Sequence, residues 1–419
     1  MNSQFIKIDA NLIYQNLVNL KQLVFEVTDA CNLKCKYCGY GELYEGYDPR
    51  KRQNLSLNRA KNVILYLAEI WNKNIDSSLC QPFSIGFYGG EPLINIILIK
   101  DMIRFTESLE INRKKIYYNM TTNGILLKRH IDFLVNKKIR LLISLDGNEQ
   151  NHSYRIDHHG NNSHGQVVNN VKKLQLKYPE YFKKYVRFNT VLHNMNSVES
   201  AHKYVMDTFG KKTTISSLNN SGIRQDKIKE FYNMFQNVDA SIEKSGNREK
   251  LETELFLEAP RISQLTNFIY RFSGNMFDNY RSLFYDENKI ETVPTGTCTP
   301  FFKKMFITVN GKILPCEKVN HEFAMGQVSD DRVEIDFDQI ADMFNNYVFK
   351  FVKRCKTCVN IRKCSQCVFQ IDEVKTPAPK CRSYIGSHAF QNYISKNLDY
   401  LGKHPALYKQ IMKEVRIEN

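Results

Sequence analysis

The 419-residue chain contains no run of about 18 uninterrupted apolar residues, which excludes a helical membrane span. Its opening, Met1-Asn-Ser-Gln-Phe-Ile-Lys-Ile-Asp9, lacks the basic-then-apolar order of a secretory signal, so a cytoplasmic protein is expected. There is no internal repeat and no low-complexity tract, which excludes solenoid and fibrous architectures. Acidic residues are in the minority, 44 against 59 Lys and Arg, and the net charge of +15 favours an anionic partner. The lysines are spread, however, and pairs such as Lys172-Lys173 and Lys183-Lys184 read as solvated helix faces. No aromatic-rich RNA-binding module accompanies the charge, so neither nucleic acid nor membrane is an expected partner.

What is present is an ordinary globular composition, 42% hydrophobic, 12% aromatic and 25% charged, on a length that suggests about two to three domains. Eleven cysteines stand out. A reducing compartment disfavours disulfides, and metal is the leading explanation for so many thiols. β-Branched runs at 22–28, 83–88, 116–120, 141–145, 186–192 and, more weakly, 213–218 read as strands. Amphipathic helices lie between them, for example 57–71, where Leu57, Val63, Ile64, Leu67, Ile70 and Trp71 recur at helical spacing. This alternation predicts an α/β fold of parallel βα units, a partial (β/α)6 TIM-like barrel open on one side, with ligands at the C-terminal ends of the strands. Residues 220–295 read as a helical connector containing the periodic stretch 262–272. A small cysteine-rich domain over 296–383 and one or two helices over 384–419 complete the expected order, behind an N-terminal extension of residues 1–21.

The run Cys31-Asn-Leu-Lys-Cys35-Lys-Tyr-Cys38 directly follows the first strand. Three thiolates on one short loop can hold three irons of a cubane cluster and leave the fourth iron without a protein ligand. Half of a zinc site or inert thiols are the alternatives, although zinc knuckles normally pair CxxC units. With Tyr37 before its last cysteine, the CxxxCxxC run resembles the signature of the radical S-adenosylmethionine (SAM) superfamily. That resemblance implies a [4Fe–4S] cluster whose open iron chelates SAM and cleaves it to methionine and a 5′-deoxyadenosyl radical.

Other segments extend the likeness. Gly89-Gly90-Glu91-Pro92 follows the second strand, where two glycines let backbone approach a ligand closely and Glu91 can accept from an ammonium group. The family uses this GGEP run to hold the SAM amino group. Thr121-Thr122-Asn123-Gly124 and Ser144-Leu145-Asp146-Gly147 end the third and fourth strands, and Asn123, Ser144 and Asp146 suit ribose hydroxyls and the SAM carboxylate. His152-Ser-Tyr-Arg155 resembles the HxxR element of the sulfatase-maturase and peptide-maturase branch, which implies that Arg155 contacts the SAM carboxylate. His152, His158, His159 and His164 otherwise read as a polar surface loop.

Cys298, Cys316, Cys355, Cys358, Cys364, Cys367 and Cys381 form a second set. The knot from Cys355 to Cys367 could by itself be a zinc ribbon. Behind a radical SAM barrel the seven resemble a SPASM domain, with Gly311 placed four residues clear of Cys316. The resemblance implies two auxiliary [4Fe–4S] clusters, one on Cys298, Cys316 and Cys367 and one on Cys355, Cys358, Cys364 and Cys381, three clusters in all. Two departures stand. Only Ser365 and Gln366 separate the last two cysteines of the knot where three residues are usual, and no cysteine between Cys80 and Cys298 can close the first auxiliary cluster. Cys80 reads as a buried thiol. Glu317, His321 and Asp372 are able to supply a ligand, and Glu317 is alternatively a general base.

Taken together, the resemblance implies a SPASM peptide maturase acting on a ribosomally made precursor peptide (RiPP) or protein. It would abstract hydrogen and close a thioether or carbon–carbon bond, with flavodoxin or ferredoxin as electron donor. The run Cys38-Gly-Tyr-Gly-Glu-Leu-Tyr44 resembles a Bacteroidales peptide-maturase subgroup. A sulfatase-maturase-like oxidase of Cys or Ser, and a non-catalytic peptide-binding partner, are the other readings. About 20 residues precede the first strand, too few for a leader-binding winged helix.

Overall fold

The computed structural model describes residues 5–74, 82–111, 115–272, 293–359, 361, 364, 366–371 and 373–415; Cys80 and Asp372 lie outside them. The chain divides into two compact units, Asp9–Ser245 with Cys298–Asp342, and Met1–Ile8 with Gly246–Thr297 and Met343–Asn419.

The first unit is built on six parallel strands in sequence order: β1 (Gln22–Thr28), β2 (Phe83–Gly89), β3 (Ile116–Thr122), β4 (Arg140–Ser144), β5 (Val186–Leu192) and β6 (Thr213–Ser217). The helices, preceded by α1 (Ala10–Val18), are α2 (Leu57–Lys73) after β1, α3 (Ile96–Glu107) after β2, α4 (Ile131–Asn136) after β3, α5 (His164–Lys177) and α6 (Pro179–Tyr185) after β4, and α7 (Val198–Phe209) after β5. This is the predicted α/β barrel architecture, and all six expected strands are present within two residues of their expected bounds. α2 shows why the periodicity was legible. Val63, Ile64, Leu67, Ile70 and Trp71 are buried along one face, Ser56 caps its start by accepting from Asn58 N, and Trp71 Nε1 donates to the Leu17 carbonyl at 3.0 Å. β1 is buried over all but its first residue, as expected for a parallel strand covered on both faces.

Residues 298–342 depart from the expected second domain. β7 (Lys304–Ile307) pairs in parallel with β1 on the side away from β2, and β8 (Lys312–Leu314), β9 (Gly326–Val328) and β10 (Val333–Glu334) continue antiparallel from it. One ten-stranded sheet results, running β10-β9-β8-β7-β1-β2-β3-β4-β5-β6. These residues therefore belong with the barrel. The physical reason is the free edge of β1, whose backbone groups would otherwise be unpaired. Gly311 makes the β7–β8 turn at φ 82°, where a Cβ would overlap the Val328 carbonyl.

The connector is helical where described: α8 (Ile228–Met234) and α9 (Val238–Glu243) belong to the barrel unit, and α10 (Arg248–Leu255) and α11 (Pro260–Phe272) to the second. After α12 (Phe337–Val348), which crosses the boundary, the second unit continues with α13 (Val352–Thr357), the cysteine knot, α14 (Ser387–Lys403) and α15 (Pro405–Glu414). Ile8 and Asn345 tie its ends together by reciprocal hydrogen bonds of 3.0 and 2.8 Å.

Candidate functional site

The loop carrying Cys31, Cys35 and Cys38 leaves the C-terminal end of β1 and is gripped by residues 154–158. Lys34 N donates to the Ile156 carbonyl (2.7 Å), Lys36 N donates to the Tyr154 carbonyl (3.0 Å), Leu33 bridges Asp157, and His158 Nε2 lies 2.9 Å from the Cys31 carbonyl. The loop is thus held by an isolated antiparallel bridge and flanking backbone hydrogen bonds to the stretch that begins within the HSYR element. Burial pushes the thiols up, Cys31 to about 11 and Cys35 to about 12, and the three sit within each other's electrostatic reach. Leu33 N (3.4 Å) and Asn123 Nδ2 (3.8 Å) donate toward the Cys31 sulfur. Such donors are what a metal-bound thiolate needs around it. Among the described residues no three Cys, His, Asp or Glu side chains converge as closely as ligands of a single ion. In a cubane each thiolate holds a separate iron, so its sulfurs stand farther apart than that. The three cysteines and their donors fit a [4Fe–4S] cluster.

The GGEP run also fastens the chain to itself. The close approach that Gly89 and Gly90 permit is to the chain itself. A Cβ on Gly89, at φ 129°, would overlap the Thr28 carbonyl, and one on Gly90 would overlap the Ala30 carbonyl. Gly90 N and Glu91 N donate to those same carbonyls at 2.9 Å. β2 is thereby locked to the backbone that enters the cysteine loop. Glu91 is 1% exposed; its carboxylate accepts from Leu93 N (3.1 Å), Thr122 Oγ1 (2.7 Å) and Asn123 N (2.7 Å). Burial nevertheless raises it to about 7. Asn123 Nδ2 bonds Asn32 Oδ1 at 2.7 Å, so TTNG, GGEP and the cysteine loop form one hydrogen-bonded layer.

Asp146 and Arg155 pair with each other. Both are buried: Arg155 Nε and Nη2 donate to Asp146 at 2.9 and 3.2 Å, and Tyr37 Oη donates to Asp146 Oδ2. Val191 N supplies another donor at 3.0 Å, and His193 Nε2 stands 3.6 Å away. Burial alone would raise the Asp146 carboxyl, but the Arg155 charge and the bonds from His193 and Arg155 outweigh it and hold the group well below the usual carboxylate range. The guanidinium stacks 5.3 Å from the Tyr37 ring, which packs against His193 and Tyr154. Tyr37 is therefore a buried anchor of the loop. Ser144 is half-buried at the end of β4, in register with Asn189.

His152 corrects the surface-loop reading. It is 0% exposed, with Nδ1 accepting from Asp146 N (3.3 Å) and Nε2 3.0 Å from Ser163 Oγ, because the ring fills the turn that caps β4. His158 and His159 are exposed as expected, and His164 is half-buried against Tyr204. Sequence reasoning missed His193. Its one signal was its place just beyond β5, the barrel position where functional groups gather.

On the β7 side, Tyr40 packs against Tyr47 and Tyr88 (5.1 and 6.4 Å), and Arg50 stacks on it at 4.1 Å while pairing with buried Glu26. Glu317 pairs with Lys304 (2.8 and 3.0 Å) and is about one-fifth exposed. Its charge reaches Tyr88, Tyr40 and Tyr47, and the same Tyr47 feels both Cys38 and Cys316. A tyrosine-rich wall therefore connects the cysteine loop to Cys316 and Glu317. His321 is held by Asp48, whose N–H meets Nδ1 at 3.1 Å.

In the second unit Cys355 feels the charges of Cys364, Cys381 and Cys358, and Cys364 those of Cys381 and Cys358. Backbone N–H groups of Thr295 and Gly296, with Gln366 and Ile385, face these sulfurs. The fold thus gathers the four cysteines of one expected auxiliary set, a donor set that fits a cluster as well as zinc. Of the other expected set, Cys298 and Cys316 lie in the barrel unit and Cys367 in the second.

Comparison with known proteins agrees with this geometry. Residues 25–205 match the model of the radical SAM superfamily. These residues, a little under half of the chain, form its radical SAM domain. It is 28% identical over 229 residues to the radical SAM cyclopropyl synthase TigE of Paramaledivibacter caminithermalis, covering 54% of this chain and 45% of that protein. It is 25% identical over 166 residues to a cysteine-type anaerobic sulfatase-maturating enzyme of Clostridium novyi, 39% of this chain and 42% of the relative. The chain thus spans under half the length of these two relatives. The corresponding Clostridium perfringens enzyme is matched more fully, at 24% identity over 82% of this chain and 87% of its own. Among solved structures, native anSMEcpe with bound AdoMet superposes with a TM-score of 0.62 at 19% identity over 94% of this chain and all of the other, which shows a shared fold.

Proposed function

We propose that this protein is a radical SAM peptide maturase that cleaves SAM reductively and abstracts hydrogen from a precursor peptide. The observation that carries this reading is the single hydrogen-bonded layer in which GGEP, TTNG and the segment after SLDG all fasten the 31–38 loop to the C-terminal ends of the barrel strands. Relatives named as a cysteine-type anaerobic sulfatase-maturating enzyme and a radical SAM cyclopropyl synthase support it.

Bound on Cys31, Cys35 and Cys38, a [4Fe–4S] cluster and SAM supply the one-electron chemistry that yields a 5′-deoxyadenosyl radical. The chain does the rest. The Asp146–Arg155 pair fixes Tyr37 and with it the loop, and the tyrosine wall lines the path from the loop toward Cys316. Burial there excludes water from a reactive radical. Glu317, beside Cys316 and partly exposed, would accept the proton released as a thioether or carbon–carbon bond closes, and the electron left on the substrate radical would pass to an auxiliary cluster. The thiols Cys355, Cys358, Cys364 and Cys381 hold a second cluster of SPASM type, and Cys298, Cys316 and Cys367 a third. Sulfatase-maturase-like oxidation of Cys or Ser is the second reading, favoured by the match over 82% of the chain.

Anaerobically reconstituted protein given dithionite and SAM should release 5′-deoxyadenosine and hold about twelve irons, four per cluster. No 5′-deoxyadenosine from cluster-loaded protein, or zinc in place of iron at the Cys355 set, would overturn the corresponding assignment.

A further inference from the structure

β6 is the last strand on its side of the sheet among the described residues, and the elements that pack on it most are β5 and α7. Its outer edge carries no strand among the described residues, and four of its five residues are half-buried or exposed. Alternate N–H and C=O groups along that edge are therefore open to a further strand, the arrangement used when a sheet takes up an extended peptide.

The two ends of this edge differ. At its N-terminal end four cations crowd together. Lys211 Nζ donates to the Lys183 carbonyl at 2.6 Å, and Arg187 precedes Phe188, which is in register with Thr213, the neighbour of Lys212. Lys183, Arg187 and Lys212 are exposed, and none of the four enters an ion pair among the described residues. Burial, Arg187 and Lys183 all press the Lys211 ammonium below its ordinary value, a sign of positive charge without a counter-charge. At the C-terminal end, Leu218 joins a buried cluster with Tyr37, Leu43 and Tyr44, and the Asn219 carbonyl accepts from Tyr44 Oη at 2.9 Å. That end is stitched to the cysteine loop. The five-residue strand bridges the two over about 17 Å.

We propose that the open edge of β6 binds the peptide substrate as an added parallel strand, its acidic residues on the basic corner and its reacting residue beyond Ser217, beside the 31–38 loop. Parallel pairing is the direction of every neighbour in this half of the sheet, and it places the acidic run N-terminal to the modified residue. The assignment rests on the peptide-substrate reading above and names where that peptide lies.

The test uses the full-length reconstituted protein and a fluorescein-labelled synthetic peptide with an N-terminal Glu run followed by alternating Thr and Val. Its control carries Lys in place of Glu. Hydrogen exchange should slow at residues 213–217 on binding the Glu peptide, and the K183E/R187E/K211E variant should weaken that binding about tenfold at low salt. Release of 5′-deoxyadenosine without peptide should be unchanged in the variant, since these residues lie outside the SAM site. A bound peptide that leaves 213–217 unprotected, equal binding of the Lys control, or no binding of the Glu probe overturns the assignment. Failure of the maturase reading is seen separately, as the absence of 5′-deoxyadenosine.

Discussion

Replacing Asp146 with Asn removes the charge on which the underside of the cysteine loop is organised. Asp146 is fully buried, and it accepts from Arg155 twice, from Tyr37 and from Val191, with His193 beside it. The variant leaves buried Arg155, a residue only 7% exposed, with no opposite charge, and breaking one partner of a buried ion pair costs about 3–5 kcal/mol. The amide NH₂ of Asn would also face donors where a carboxylate oxygen had accepted. Urea unfolding of the apoprotein, analysed for the barrel unit, should show a loss of that size, and iron retention should fall because Tyr37 anchors the loop. The double variant D146N/R155M should recover much of the loss, since it removes the orphaned charge as well. A loss below about 1 kcal/mol, or a double variant that is simply additive, would refute the argument. The pH dependence has a definite sign. Because the folded-state carboxyl is depressed, its contribution is present above the unfolded value near 3.8 and disappears only as pH falls through the lower folded value. Wild-type protein should therefore keep this contribution throughout pH 4–7.

Glu91 has the opposite sign. Raised from 4.5 to about 7, it lowers apoprotein stability as pH climbs between those values, by at most about 3 kcal/mol, and Glu91→Gln should flatten that slope in thermal melts across pH 4.5–7. Gly90→Ala should lower iron incorporation while leaving far-UV circular dichroism nearly unchanged, since its Cβ meets the Ala30 carbonyl ahead of Cys31; normal iron loading would contradict the locking role. Cys355→Ala should remove about four irons and spare 5′-deoxyadenosine formation. Glu317→Gln should likewise keep SAM cleavage but lose product on the peptide, a split visible by mass spectrometry.

Much of the barrel was legible because parallel strands buried on both faces appear as unbroken apolar runs, and helices such as α2 carry a clear periodicity. The motif residues were legible through spacing along a loop. Their partners were not. Gly89 and Gly90 announced a close approach without saying that the neighbour is the chain's own Thr28 and Ala30. His152, placed among surface histidines by its polar surroundings, turned inward because the end of β4 needed a cap. Arg155 pairs with Asp146 only nine residues away, yet the burial that makes the pair decisive comes from Tyr37, Val191 and His193, brought in from β1 and β5.

By itself the sequence determined the parallel βα order, the three-thiol loop at the end of the first strand, and the places of GGEP, TTNG and SLDG on the next three, since each depends on local pattern and spacing. Tertiary structure alone decided that β7–β10 extend the barrel sheet, that four distant thiols gather in the second unit, and that the edge of β6 stays open. Those outcomes depend on which backbone groups find partners across long stretches of chain, and no local pattern records that.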